Sequence, residues 1–454
     1  MSKISSFSHI HFIGIGGISM SALAKLMILR GHQVSGSDEV WNERLQEIIE
    51  MGGQIFLGHE ESNARNADLI VYTQSVNEDN VELSYARKNR ITTIRRDIFL
   101  SKISEDYTRV VAVSGSHGKT TITAMLANVF LVAGEKFTAH VGGNVLGLGN
   151  LIYRGYDTFI TEACEYKRSF FALNPDVAVI TSTEFDHPDS YKNEQELIDA
   201  YMMFGSKVKN DGRLILHSDT AIYNMHKCAY VPITSYGDDI NLDCTYDQLT
   251  LHKNGCYGFR VRYKGEPKSH INLNVIGKHN VLNALAVYAT CMELNISEYY
   301  VVKGLESFSG VERRFQYKGE FCGAKVYSDY AHHPTEIGVA LDAVEALSKG
   351  RVKLVFQPHT FSRTGALFDD FVGVLRRAQE IYLVKEYGAR EVRGGKSAYE
   401  LFEAVKSDYS GRAFYFDNVV GLAKELVADL KHDDILLVLG AGDIDGLVDI
   451  LIQI

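Results

Sequence analysis

The stretch "RVVAVSGSHGKTTITAMLANVF", residues 109–130, places small residues, a lysine and two threonines at the spacing of a phosphate-binding loop. Consecutive backbone N–H groups running from Gly115 through Ser116, His117, Gly118, Lys119 and Thr120 to Thr121 would stand at a helix amino terminus. There they and the helix dipole attract phosphate oxygens. Lys119 is spaced to reach the terminal phosphates, and the Thr120 hydroxyl to ligate a magnesium ion. One position departs from the usual G-x-x-x-x-G-K-[ST] pattern, which asks for glycine where Val113 stands. The competing reading is a glycine-rich strand-to-helix turn with a surface lysine. The apolar strand before the loop and the helix-forming run after it favour phosphate binding.

Acidic and imidazole groups close two further apolar runs. Glu162 and Glu165 in "TEACEY", with Asp186 and His187 in "EFDHPDSY", supply hard oxygen donors and an imidazole; magnesium needs only one or two carboxylates besides substrate phosphates. Singly, each acid reads as a solvated loop charge or a helix cap, and beside a phosphate loop they read as a metal site. His332, His333, His359 and Arg363, in "DYAHHPTE" and "FQPHTFSRT", suit an anionic group or the orientation of a nucleophile. A zinc site and a surface pair ahead of a strand-terminating proline are the rivals. Gly14, Gly16, Gly17 and Asp38 imitate a dinucleotide fingerprint, but Ser19 replaces its third glycine, so a tight turn serving another nucleotide is the preferred reading.

The elements that must hold these groups follow from periodicity. "HIHFIGIGGISMSALAKLMILRGHQVSGSD" reads as strand, glycine turn, helix and strand, with further strands in "ADLIVYTQSV" and "ITTIRRD" and a helix in "NVELSYARKN" between them. The polar "SKISEDYTR" breaks the pattern near Asp106 and predicts a linker. A second segment has strands in "RVVAVSG", "YDTFITEACE" and "DVAVITSTEFDH", whose carboxyl ends carry Lys119, Glu162 and His187; ligands of open α/β sheets gather at such ends. The alternation in "YGFRVRYKG" predicts an antiparallel excursion, and "GKHNVLNALAVYATCMEL" a loop entering a helix. Past Gly310, "AKVYSDYAHHP", "RVKLVFQPH", "EIYLVKEYGARE" and "DDILLVLGAGDIDG" read as strands of a third α/β unit.

Length and composition agree with this division. At roughly 100–200 residues per domain, 454 residues predict about three. With 46% apolar and 23% charged residues the chain is an ordinary globular protein, and its net charge of -10 argues against nucleic-acid binding, which calls for a basic face. The six cysteines show no C-x-x-C spacing, so neither zinc nor a disulfide framework is indicated and a reducing cytosol fits. The first residues lack the apolar run of a signal peptide. No run approaches the roughly 18 apolar residues of a membrane helix, so no membrane partner is expected.

Taken in order, "IHFIGIGGISMSALA", "VSGSD", "GSHGKTTITAM", "EACEYKRSF", "EFDHPDSY", "GKHNVLNALA", "GVERRF", "DYAHHPTE", "FQPHTFSRT" and "GAGDI" resemble the Mur ligase family over nearly the whole chain. That family uses a shortened G-[TS]-x-G-K-T-T loop, which needs no glycine at Val113. The resemblance implies an α/β enzyme of three domains: a Rossmann-like domain for a UDP-sugar at 1–107, a central P-loop ATPase-like domain at 108–311, and a Rossmann-like domain admitting an amino acid at 312–454. It implies a cytoplasmic, ATP- and magnesium-dependent ligase of peptidoglycan precursor synthesis. Such an enzyme joins L-alanine to the carboxylate of UDP-N-acetylmuramate through an acyl phosphate. The sister reaction with a recycled tripeptide is the alternative, and the oligomeric state is left open. An oxidoreductase built on the glycine turn would leave the phosphate loop unexplained.

By motif, the resemblance gives Lys119 the ATP phosphates, Thr120 and Glu162 one magnesium, and His187 a second. It places His279, Asn280 and Asn283 on the adenine side, and Arg314 and Asp329 at the nucleotide from the third domain. Tyr330, His332, His359 and Arg363 match the site of the incoming alanine and the lactyl group. Gly16, Gly17, Ser37, Asp38, His59, Ser75, Asn80 and Arg96 match the UDP-sugar site. Two residues depart from the family pattern: Ser182 stands for an asparagine and Thr360 for an arginine, which leaves Arg363 as the single guanidinium of that loop.

Overall fold

Residues His9–Ile13 form strand β1, buried along its whole length. A glycine turn then leads into helix α1, Ile18–Leu29. Strand β2 (Gln33–Asp38), helix α2 (Glu43–Glu50), strands β3 (Gln54–Leu57) and β4 (Leu69–Tyr72), helix α3 (Val81–Asn89), strand β5 (Thr92–Arg95) and helix α4 (Arg96–Ser104) complete the first sheet unit. Its strand order is β3-β2-β1-β4-β5, with all pairs parallel. The strand order reverses between β1 and β4, so the crevice beyond their carboxyl ends is where such a sheet takes a ligand. The linker expected near Asp106 is shorter than the polar sequence suggests, because α4 continues to Ser104. Phe99, Leu100 and Ile103, at helical spacing, are buried and hold "SKIS" in the helix.

The structure is a computed structural model that describes residues 4–223, 231–389, 391 and 394–453. It forms two compact units, Met1–Thr183 with Ile198–Tyr236 and Ala286–Gly304, and Glu184–Leu197 with Gly237–Leu285 and Leu305–Ile454. The first unit also holds strands β6 (Arg109–Ser114), β7 (Phe137–Val145), β8 (Gly149–Tyr153), β9 (Thr158–Glu162), β10 (Val177–Ile180), β11 (Arg213–His217) and β12 (Ile233–Tyr236), with helix α5, Lys119–Ala133, following β6. They run in the order β12-β11-β10-β6-β9-β7-β8, parallel except for the β7–β8 hairpin. β10, β6 and β9 are thus neighbours, as the strand-end reading of the sequence requires. β7, β8, β11 and β12 go beyond that reading; glycines and polar residues in "FTAHVGGNV" blur the strand pattern of β7.

In the second unit, β13 (Cys244–Leu251), β14 (Cys256–Tyr263) and β15 (Glu266–Ile276) are the expected antiparallel excursion. The last sheet contains β16 (Gln316–Phe321), β17 (Ala324–Asp329), β18 (Val352–Phe356), β19 (Glu380–Val384), β20 (Arg412–Phe416) and β21 (Ile435–Leu439), in the order β16-β17-β21-β18-β19-β20. Only β16 and β17 pair antiparallel. Apolar clusters around Leu341, Leu354 and Phe371 on one face, and around Leu422, Leu426 and Leu447 on the other, sandwich this sheet. Burial on both faces is why "ILLVL" reads as an unbroken apolar run. The five described cysteines are free thiols, and Cys228 lies outside the described residues. No helix among the described residues is long and apolar enough to cross a membrane.

Candidate active site

The phosphate-loop candidate sits between β6 and α5, and at Gly115 its backbone leaves no room for a side chain. Gly115 adopts φ +127°, and a Cβ there would lie 2.0 Å from Thr181 Oγ1. Ser116 N donates to Ser182 O at 3.1 Å and His117 N to Ser182 Oγ at 3.0 Å. The serine standing where the family pattern has asparagine therefore braces the loop from the end of β10. Lys119 Nζ donates to Gly115 O (2.5 Å), Ser116 O (3.3 Å) and Glu165 Oε1 (2.9 Å). Burial works against the lysine's charge, but Glu165, with Cys164 and Glu162, outweighs it, so the pKa is raised and the ammonium persists.

Glu162 ends β9 opposite Val113 of β6, which brings it beside the loop. Its Oε1 accepts from Gly142 N at 2.5 Å, and a Cβ on residue 142 would come within 2.6 Å of both carboxylate oxygens. Glycine at 142 is thus a cradle for that carboxylate. The Thr120 hydroxyl and the Glu162 carboxylate are hard oxygen donors at one sheet end, a donor set that fits magnesium.

The expected sugar-side residues gather at the carboxyl end of the first sheet. Asp38 Oδ2 accepts from Gly16 N at 2.8 Å, so this acid organises the glycine turn itself. Ser37 Oγ donates to Glu82 Oε2 at 2.6 Å and lies 3.0 Å from His59 Nδ1. Asn80 caps α3 through its side chain, which accepts from Glu82 N and Leu83 N. Ser75 Oγ lies 3.2 Å from Thr73 Oγ1, and Arg96 Nη1 donates to Ser19 Oγ at 3.1 Å. Gly17 is the N-cap of α1. Sequence reasoning missed Glu82, which is fully buried and ties Ser37, His59 and Asn63 together. Its position in the first turn of a helix looks like an ordinary solvated acid.

In the second unit, Asp186 Oδ1 accepts from Arg363 Nε (3.0 Å) and Nη2 (2.9 Å), and Arg363 Nη1 lies 3.1 Å from His359 Nδ1. The ring of His359 stands 5.9 Å from that of His332, which is 5.4 Å from Tyr330. His187 is held through its own N–H, 2.6 Å from Asp186 Oδ1, with φ +59°. Asp186 is buried, which opposes ionisation, but His187, Arg363 and His332 drive its pKa far below the usual carboxylate range. The paired histidines part company: His333 is the N-cap of the helix Pro334–Glu345 in a capping box with Glu336, while His332 Nδ1 lies 2.9 Å from Tyr330 O. Thr360, at φ +66°, caps the helix Phe361–Ala366 by accepting from Arg363 N. The residue that stands for an arginine thereby fixes the remaining one.

The adenine-side candidates lie in the same unit. Asn280 Nδ2 donates to Ile276 O at 2.8 Å and Asn283 Nδ2 to Asn280 Oδ1 at 3.0 Å. Among the described residues His279 Nδ1 is buried with no hydrogen-bond partner, and burial together with the Arg314 charge lowers its pKa to about 4. Arg314 lies 5.3 Å from the centre of the Tyr330 ring. Asp329 accepts from Phe315 N and Ala331 N, each at 2.7 Å; burial nonetheless raises its pKa to about 6, with Arg314 opposing.

Burial, with help from neighbouring cations, also lowers His140 and His332 to about 4 and His359 to about 3. A histidine whose folded pKa lies below its unfolded value of about 6.5 contributes stability that is complete above that value and lost as pH falls toward the folded one. With His279 there are four such groups, each expected to give up roughly 2 kcal/mol by pH 5. Asp329, raised, acts oppositely between about 4 and 6. Guanidinium unfolding midpoints at pH 8 and pH 5 are expected to show a clearly lower value at pH 5; equal midpoints would contradict the burial of these rings.

Comparison with known proteins gives three consecutive family matches: "Mur ligase family, catalytic domain" over residues 9–108, "Mur ligase middle domain" over 113–291 and "Mur ligase, glutamate ligase domain" over 313–442. The UDP-N-acetylmuramate--L-alanine ligase of Clostridium acetobutylicum is 41% identical over 440 residues, covering 96% of this chain and 95% of the relative. That of Clostridium tetani is 38% identical over 446 residues, covering 96% of each. Among solved structures, the UDP-N-acetylmuramate-alanine ligase from Thermotoga maritima superposes with a TM-score of 0.85 at 27% identity, over 98% of both chains. A murein peptide ligase from Psychrobacter arcticus shares the fold, with a TM-score of 0.76 at 23% identity over 98% of both chains.

Proposed function

The chain belongs to the Mur ligase family, and from that premise we propose that it joins L-alanine to the carboxylate of UDP-N-acetylmuramate with ATP, in cytoplasmic peptidoglycan precursor synthesis. The domain division 1–107, 108–311 and 312–454 is part of this reading. The full-length likeness to ligases of that name supports it. The observation that carries it is the loop at the β6 end, where Lys119 is held charged beside backbone N–H groups and Glu162 occupies the adjacent strand end.

A carboxylate resists an amine because it is charged, resonance-stabilised and lacks a leaving group. In the proposed reaction the muramate carboxylate attacks the γ-phosphate of ATP, giving an acyl phosphate and ADP. The neutral amine of L-alanine then adds to the acyl carbon and phosphate departs. Lys119 and the loop amides hold the phosphates and offset the charge that builds on them, and Arg314 is assigned the same task from the third domain. Thr120 and Glu162 would hold one magnesium ion and His187 a second; a bound divalent ion supplies charge neutralisation on the phosphate oxygens. His279, Asn280, Asn283 and Asp329 are assigned to the nucleoside end. Tyr330, His332, His359 and Arg363 are assigned to the alanine and the lactyl group, and because both imidazoles are neutral near pH 7 they leave Arg363 as the cation of that set. Gly16, Gly17, Ser37, Asp38, His59, Ser75, Asn80 and Arg96 are assigned to the UDP-sugar.

The test is product formation. With UDP-N-acetylmuramate, ATP and magnesium, phosphate release and a product of increased mass are expected on addition of L-alanine and not on addition of the tripeptide L-alanyl-γ-D-glutamyl-meso-diaminopimelate. Turnover only with the tripeptide, or phosphate release without any acceptor, would overturn the assignment.

A further inference from the structure

Between the sugar-side group and Glu162 runs a chain of hydrogen bonds that no assigned role explains. His140 lies in β7 with 3% of its surface exposed. Its Nε2 is 2.9 Å from Ser19 Oγ at the start of α1, and its Nδ1 is 3.0 Å from Thr161 Oγ1 in β9. Ser19 Oγ also accepts from Arg96 Nη1 at 3.1 Å, and Thr161 Oγ1 donates to the carbonyl oxygen of Glu162 at 3.1 Å. Ser19 is the residue that replaces the third glycine of a dinucleotide fingerprint.

The direction of the bonds in this chain is set from the Thr161 end. A guanidinium only donates, so the Ser19 oxygen accepts from Arg96 with one lone pair and keeps its proton and a second lone pair for His140 Nε2. A carbonyl only accepts, so the Thr161 proton goes to Glu162 O and the Thr161 oxygen must accept from His140 Nδ1. The Thr161 end thus places a proton on Nδ1, and in a neutral ring Nε2 is then the acceptor for the Ser19 proton. The ring's burial and the nearby Arg96 charge independently disfavour the imidazolium.

We propose that His140, as the Nδ1–H tautomer, is a positioning residue that ties Arg96 at the sugar-side sheet to the β9 end that carries Glu162, setting the sugar carboxylate in register with the phosphates. This rests on the functional reading above, in which Arg96 meets the UDP-sugar. His140 touches no reacting atom; it fixes where Arg96 stands relative to the strand end. Polar satisfaction along the whole chain makes a break in its middle costly, since it takes one hydrogen-bond partner from the Ser19 and Thr161 hydroxyls in a buried place.

The experiment combines spectroscopy and kinetics on the full chain. In the ¹⁵N-histidine-labelled wild type, a protonated Nδ1 and an unprotonated Nε2 are expected for the resonance that disappears in His140→Phe; an Nε2–H tautomer there overturns the proposal. His140→Phe is expected to raise the KM for UDP-N-acetylmuramate about tenfold while leaving the KM for ATP within about twofold. His140→Gln, which keeps an acceptor and a donor, is expected to recover most of that loss, and Ser19→Ala added to His140→Phe should cost little more. An unchanged sugar KM, an equal rise for both substrates without recovery by glutamine, or additive effects of Ser19 and His140 would each overturn the proposal. A wild type that binds no UDP-N-acetylmuramate in calorimetry would bring down the functional reading and this inference with it. Binding by the wild type with no effect of His140→Phe would bring down the inference alone.

Discussion

Replacing Lys119 with alanine is expected to lower kcat about 10³-fold or more while leaving the affinity for UDP-N-acetylmuramate within about twofold. In the proposed reaction the ammonium is assigned to the transferring phosphates, and removing such a donor costs more in the transition state than in the ground state. The variant has a second effect that has to be separated from the first. Glu165 is 1% exposed and would lose its cation, and breaking a buried pair by removing one partner costs about 3–5 kcal/mol of stability. Lys119→Met combined with Glu165→Gln removes both charges and restores a neutral interior. Single-turnover ADP formation is expected to be lost in both variants, whereas the melting temperature should fall in the first and recover in the second. Turnover within tenfold of wild type in the double variant would remove Lys119 from the chemistry.

How much of this was legible in the sequence depends on whether the physics is local. The phosphate loop is: an apolar strand, small residues, a lysine and a helix-forming run follow one another, so β6, Gly115 and α5 could be read in order. The paired parallel strands β18, β19 and β21 were legible for a similar reason, since burial along their whole length makes each a mainly apolar run. Roles set by tertiary contact were not. Ser182 looks like a departure from a motif, yet its hydroxyl takes the His117 N–H. Asp38 looks like a ribose acid, yet one carboxylate oxygen is committed to Gly16 N. Thr360 looks like a lost guanidinium, yet it caps the helix that carries Arg363. Glu82 and His140 offered no signal at all, because nothing in "NVELS" or "FTAHV" says that other elements converge on those side chains.

Asp186 shows what such hidden contacts are worth. Asp186 and Arg363 are each about 5% exposed, and one carboxylate oxygen receives both Nε and Nη2 while also accepting from His187 N. In Asp186→Asn the shape survives, but Arg363 is left as an uncompensated buried cation. The expected cost is about 3–5 kcal/mol, read as a lowered guanidinium midpoint at pH 7. The pH dependence identifies its origin. A carboxylate whose folded pKa is depressed contributes stability that is present above its unfolded pKa of about 3.9 and is lost as pH falls toward the folded value. The gap between wild type and Asp186→Asn should therefore stay constant from pH 8 to pH 5 and narrow only below about pH 4. Since Asp186 also orients His187, a proposed magnesium ligand, kcat at saturating ATP is expected to drop about 10–100-fold, the usual cost of losing a group that orients a metal ligand. Adding Arg363→Met to Asp186→Asn removes the stranded charge and should return part of the lost stability, a coupling of opposite sign to simple additivity. Midpoints for Asp186→Asn equal to wild type would mean that the pair contributes nothing. A double variant less stable than either single one would mean that the guanidinium is held by something other than Asp186.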